Sequence, residues 1–227
     1  MSQLWKIRLP NGKVLTPGDW TSAEPLYSTV EIGSGSFPVL TAFSYGRGAA
    51  VPGAVAQRPS TYADTNLEGE GNRLPENEEL IAYSMAIEFF LIGAETGTNA
   101  VPAAEAPDLS LTNVLRLQRD LLAIVRIAAI KEYTRQPVGY FAAGTGVLQH
   151  NSAARTNLNV GYAVGNNGGV NAEDARQFAS PLYVAGGESL AVDVKPGPGE
   201  VTGLDLTAGS RVRLRIFFEG YRRRPVA

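Results

Sequence analysis

At 227 residues the chain is long enough for one large domain or two small ones, and with a formal charge of −2 wholesale electrostatic attraction to nucleic acid or an anionic membrane is not expected. It has no cysteine, which excludes disulfides, thiolate zinc sites and cysteine nucleophiles. Glycine at 25 and proline at 14 break the chain often enough to favour short strands and loops over long helices.

The chain opens on "MSQLWKIRLPNGK", which has no apolar core of signal-peptide length, so a soluble, non-secreted protein is expected. Within "LWKIRLPNGKVL", Asn11-Gly12 between two apolar runs predicts a hairpin. "LYSTVEI" (26–32) and "PVLTAFSYG" (38–46) read as short strands bounded by turn residues. Residues 47–79 then read as a long loop. The clearest internal strand is "ELIAYSMAIEFFLIG". Strict alternation there puts Ile81, Tyr83, Met85, Ile87, Phe89 and Leu91 on one face, with Ala82, Ser84, Ala86, Glu88 and Phe90 on the other. The stretch carries Glu88 and is too short to span a bilayer.

A second long loop is expected over 93–111. In "LTNVLRLQRDLLAIVRIAAIKEYTRQPVGYF", Leu117, Leu121, Ile124, Val125 and Ala128 fit a helical face that Thr112 or Asn113 could cap. The β-branched content of its second half favours a short helix near 112–120 followed by a strand near 122–133. A single helix through Tyr133 is the alternative that periodicity leaves open. Residues 144–177 form a third loop. "ESLAVDVKP" alternates Leu190, Val192 and Val194 against Ser189, Ala191 and Asp193, and the last strand alternates apolar residues against arginine. No internal repeat or linker divides the chain. The pattern predicts one all-β domain over 1–227, with one or two short helices at most, built as an antiparallel β-sandwich. Structureless loops this long are uncommon unless they function or find a partner.

Catalytic motifs are sparse. His150, the sole histidine, sits in the polar "VLQHNSAAR" with no nucleophile-elbow motif in the chain, so an exposed loop histidine is expected rather than a base. "GSGSFP", "GTGV" and "GNNGG" lack the lysine and spacing of a phosphate loop and read as turns. The best metal candidate is "DTNLEGEGNRLPE", where Asp64, Asn66 and Glu68 alternate as in a calcium loop; Pro75 stands where the bidentate glutamate belongs, so a solvated acidic loop is favoured. No pair of carboxylates is marked for acid–base work. Neither a cofactor nor an enzymatic activity is expected.

Charge is segregated. Residues 64–79 hold Asp64, Glu68, Glu70, Glu76, Glu78 and Glu79 against the single Arg73, while 211–224 hold Arg211, Arg213, Arg215, Arg222, Arg223 and Arg224 against the single Glu219. The alternating arginines read most simply as a solvated outer face whose stems cover apolar surface. The segregation also suits contact between copies, acidic loop to basic strand or tail. The two segments could equally meet within one chain. Contact of the arginine tail with nucleic acid comes second, since no stacking motif accompanies it.

The order of features resembles a known group. After the N-terminal hairpin come "LTAFSYGRG", "ADTNL…RLPENEELIAYSMAIEF" and "KEYTRQPVGYFAAGTGV", and the close is "SPLYVAGGESLAVDVKP…SRVRLRIFFEGYRRRPV". Together these are similar to the jelly-roll structural proteins of bacterial viruses: capsid, vertex or decoration proteins. The resemblance implies a virion protein made in the host cytoplasm, homo-oligomeric, acting through symmetric contacts with its own copies and other virion proteins, without catalytic residues. The alternative is a carbohydrate- or ligand-binding β-sandwich module such as a virus attachment domain, for which Trp20, Tyr140, Phe141 and Tyr162 are the aromatics to inspect.

Overall fold

The computed structural model describes residues 7–8, 12, 14–15, 24–33, 35–36, 38–54, 57–69, 71–92, 116–128, 131–141, 176–197, 203–204 and 211–223. The expected hairpin is present: β1 (Ile7–Arg8) pairs antiparallel with β2 (Val14–Leu15), and Gly12 takes the positive φ its turn requires. The next strands are β3 (Leu26–Ile32), β4 (Gly35–Ser36), β5 (Leu40–Ala42) and β6 (Glu79–Ile92). They are followed by β7 (Leu121–Ile127), β8 (Lys131–Pro137), β9 (Arg176–Val184), β10 (Leu190–Pro196), β11 (Gly203–Leu204) and β12 (Arg211–Arg223).

Two antiparallel four-stranded sheets dominate, in the orders β3-β12-β6-β9 and β5-β10-β7-β8, while β4 and β11 form a small ribbon. One apolar cluster lies between the sheets. Leu26, Val30 and Ile32 of β3, Val212, Leu214, Ile216 and Phe218 of β12, and Met85, Ile87 and Phe89 of β6 meet Leu121, Ala123 and Val125 of β7 and Leu190, Val192 and Val194 of β10. Each fully buried aliphatic or aromatic side chain here is worth about 1.5–3 kcal/mol of transfer free energy. Alternate residues carry that burial, which is why residues 211–218 of the terminal strand alternate half-buried with buried in strict period two.

Two expectations need correction. Strict alternation along β6 fails at Tyr83. Glu219 of β12 pairs with Ser84 but Gly220 pairs with Ala82, so Tyr83 is bulged out and the phase flips. Leu80 and Ala82 therefore join Met85, Ile87 and Phe89 in the cluster between the sheets, while Ile81, although fully buried, and half-buried Tyr83 lie outside it. Gly220 makes the bulge possible, since a Cβ there would stand 1.9 Å from the Ile81 carbonyl oxygen. The second correction concerns 122–133. A helical turn at 116–119 with Leu117 buried precedes β7, as the helix-then-strand reading expects. The strand, however, ends at Ile127, and Ala128 takes a positive φ of 53° to turn the chain back into β8, so the single helix and the single strand are both replaced by a hairpin. Residues 112–115, 93–111 and 144–175 lie outside the described residues. Among the described residues no helix is long and apolar enough to cross a membrane.

The described residues of the loop over 47–79 are not structureless; together with Tyr45 just before it, they seal the exposed edge of β3. The Tyr27 N–H donates to Asn66 Oδ1 at 2.9 Å, the Thr29 N–H to Tyr45 Oη at 3.1 Å, and the Glu31 N–H to the Pro52 carbonyl at 2.9 Å. The Tyr45 hydroxyl returns a bond to the Thr29 carbonyl at 2.6 Å. Alternate residues of an edge strand aim their backbone groups outward, so the loop fills that row in place of a neighbouring strand. Gly53 lets it approach: a Cβ there would lie 1.8 Å from the Glu31 carbonyl oxygen.

The other three edges are blunted differently. β5 has only three residues. β8 presents exposed Lys131, Glu132 and Arg135, a register irregularity at Tyr133 and a terminal proline. β9 jumps register between Leu182 and Gln177, with Pro181 inside the jump. Charge, proline and bulges are the devices that stop sheets from fusing edge to edge.

Candidate functional site on the outer face of the terminal strand

Arg211, Arg213 and Arg215 point to the outer face of β12, as period two requires, and the segments around Gly53 and Ala63 lie over Arg211 and Arg215. The centre of the site is a four-member ion network. Arg213 stands directly opposite Glu31 on β3 and donates to Glu31 Oε1 from Nη2 at 2.8 Å and from Nε at 3.2 Å. Arg58 donates to the same Oε1 at 2.7 Å and grips Asp64 with both terminal nitrogens, at 2.7 and 2.8 Å. Arg213 Nη1 also lies 3.9 Å from Asp64 Oδ1. The carboxylates are almost wholly buried, with side chains 5% exposed for Glu31 and 1% for Asp64, while Arg58 and Arg213 keep 23% and 17%. Two cations and two anions cancel, so the patch carries little net charge.

Burial alone would raise the Asp64 carboxyl. The hydrogen bonds from Arg58 and from the Thr61 N–H and hydroxyl outweigh it and hold the group down at about 2. The same bond to Asp64 pushes the Arg58 guanidinium above its ordinary range despite desolvation. Because the native carboxyl ionises below the unfolded one, near 3.9, its contribution of roughly 2 kcal/mol is complete above about pH 5 and is lost as pH falls through 4 toward 2. Urea unfolding across that window is expected to show the loss, and Asp64→Asn to flatten it. An Asp64→Asn slope equal to the parent's would place the titration elsewhere.

The flanking arginines are tied as well. Arg211 donates to the Gly53 carbonyl. Arg215 donates to the Ala63 carbonyl at 2.8 Å, lies 4.0 Å from Glu88, and has its guanidinium 6.0 Å from the Tyr27 ring. Arg223 bonds Glu79 at 3.2 Å. Arg222 and Glu78, expected at a contact between copies, are instead a pair inside the fold. Arg222 is 0% exposed, donates from Nε to Glu78 Oε2 at 2.8 Å, again from Nη2, and from Nη1 to the Asn66 carbonyl at 3.3 Å. The reason is parity: steps of two from Val212 land on Arg222, so it faces inward with the apolar residues. The acidic and basic segments thus meet within one chain, the second of the two arrangements the sequence allows.

The metal candidates do not converge. Asp64 is spent on Arg58 and on the turn at Thr61, and the Asn66 amide is spent on Tyr27 N–H and the Pro25 carbonyl. Glu68 turns outward to Arg47 at 2.7 Å. Glu76 is exposed. Of the aromatics considered for ligand binding, Phe141 belongs to the core, while Tyr140 is exposed with the Arg176 guanidinium 4.4 Å from its ring centre. Glu70, Arg224, His150, Trp20 and Tyr162 lie outside the described residues.

Glu31 and Arg58 went unmarked in sequence. Glu31 does carry a signal, as the one acid in the apolar strand "LYSTVEI"; Arg58 carries none. Chemically the network is a fastener: its acids and bases are saturated by one another and by backbone groups, which fixes the loop to the sheet. Comparison of the chain with models of protein families, with curated proteins and with solved structures gives no match.

Proposed function

We propose that this chain is a jelly-roll structural protein of a bacterial virus, building into or onto a capsid through contacts between copies. The observation that supports this most is strand order. Numbered along the chain, the eight strands of the two large sheets lie as first-eighth-third-sixth and second-seventh-fourth-fifth. First pairs with eighth, second with seventh, third with sixth and fourth with fifth, all antiparallel. That order results when one long hairpin is rolled so that successive pairs alternate between two sheets, the jelly-roll wrapping.

The blunted edges suit the same reading. A protein crowded beside its own copies must avoid sheet fusion and meet its neighbours through side chains. The saturated arginines weigh against a nucleic-acid role, because Arg58, Arg213 and Arg222 already satisfy carboxylates and have little left for phosphates. The reading assigns no catalysis and no cofactor, and places the protein in the virus particle.

Light scattering coupled to size exclusion, with negative-stain images of the main peak, tests it. Regular rings, capsomer-like oligomers or shells are expected as concentration rises. A monomer at every concentration would overturn assembly through contacts between copies.

A further inference from the structure

Beyond Arg215 the outer face of β12 changes character. Phe217, Glu219 and Tyr221 follow on the same face, past the reach of the ion network. The Phe217 ring lies 5.9 Å from Tyr27, and the Tyr221 ring meets Tyr83 edge-on at 5.7 Å. Glu219 stands between these two aromatic pairs and opposite Ser84. The bulge at Tyr83 delivers that ring to this face, and bulges commonly re-aim side chains at functional positions.

Glu219 is half-buried, and its carboxylate makes no hydrogen bond or ion pair with the described residues. Burial pushes its carboxyl up from the ordinary range. The cations four residues away on either side are engaged elsewhere, Arg215 with Ala63 and Glu88, and Arg223 with Glu79. A carboxylate partly removed from water and without a cation is unfavourable, and an incoming positive group relieves it. Aromatic rings stand on both sides of it, and the face of such a ring attracts the same kind of group. The chemistry fits a guanidinium or an ammonium.

We propose that Glu219, flanked by Phe217 and Tyr221, receives an arginine or lysine side chain from a second copy of this chain. The inference rests on the assembly reading above and gives it a specific contact. The chain has the matching groups: Arg73, Arg119 and Lys131 are exposed and make no ion pair with the described residues. Complementary charge of this kind sets register and partner choice between copies.

The test is sedimentation equilibrium of the full chain over a wide concentration range, for the parent, Glu219→Gln and Glu219→Lys. Glu219→Gln keeps the side chain's size and is expected to weaken self-association about tenfold or more. Glu219→Lys is expected to abolish it, and reversing the matching cation, tried singly as Arg73→Glu, Arg119→Glu and Lys131→Glu, to restore it. Thermal melting of Glu219→Gln at monomer concentration separates this from misfolding, since the monomer is expected to melt no lower than the parent. Parent association unchanged in Glu219→Gln would overturn this contact and leave the assembly reading standing. A parent that stays monomeric would overturn both. If Nα-acetyl-arginine amide shifts the Glu219 carboxyl resonance of a parent that stays monomeric, the cation belongs to another protein and the second copy is excluded.

Discussion

Glu78→Ala is expected to destabilise the protein by about 3–5 kcal/mol, the range for removing one partner of a buried ion pair. The Arg222 guanidinium is 0% exposed and donates from both Nε and Nη2 to Glu78 Oε2. Alanine would remove that carboxylate and leave the full charge in the interior, where the Asn66 carbonyl, at 3.3 Å, supplies no compensating charge. The damage would spread, because Asn66 is also what caps the β3 edge at Tyr27. Urea unfolding measures the loss directly. The double variant Glu78→Leu with Arg222→Met, which removes both charges and keeps volume, is expected to recover most of it. A Glu78→Ala protein within about 1 kcal/mol of the parent would mean that Arg222 reaches water or another anion.

Sequence shows only part of this. Where one face is apolar and the other polar, as in "LYSTVEI", "SLAVDVKP" and "RVRLRIFF", period two is unambiguous, and β3, β10 and β12 follow it. In β6 both faces of "LIAYSMAIEFF" are apolar, so a one-residue bulge leaves no trace in the pattern. The same ambiguity hides the hairpin at Ala128, where small and β-branched residues fit helix, strand and turn alike. Arg222 was countable from Val212, yet "GYRRRP" looks like a charged tail because inward arginine is rare without a partner, and its partner lies 144 residues away. The arginine ladder is visible as a ladder. Its function as a clamp depends on Glu31, Arg58 and Asp64, which only the fold brings together.

The ladder also yields a prediction that separates a clamp within the chain from a contact between copies. Arg213→Glu leaves Arg58 as the sole cation of the network facing Glu31 and Asp64 and adds a third carboxylate to a nearly buried site. A loss of at least about 3 kcal/mol is expected in the isolated monomer. Because the two acids are almost wholly buried, raising the salt from 0.1 to 0.5 M, across which exposed charges are strongly screened, should recover little of it. Exchanging the charges, Glu31→Arg with Arg213→Glu, keeps a directly opposed pair on adjacent strands but sets the new arginine beside Arg58. Only partial recovery is therefore expected, and the shortfall measures how much Arg58 depends on Glu31. If Arg213→Glu instead leaves the monomer's unfolding curve in place and weakens association in a salt-dependent way, the arginines face another copy and the clamp is wrong. The two outcomes differ in the concentration at which the defect appears: a clamp fails in dilute monomer, a contact only where copies meet.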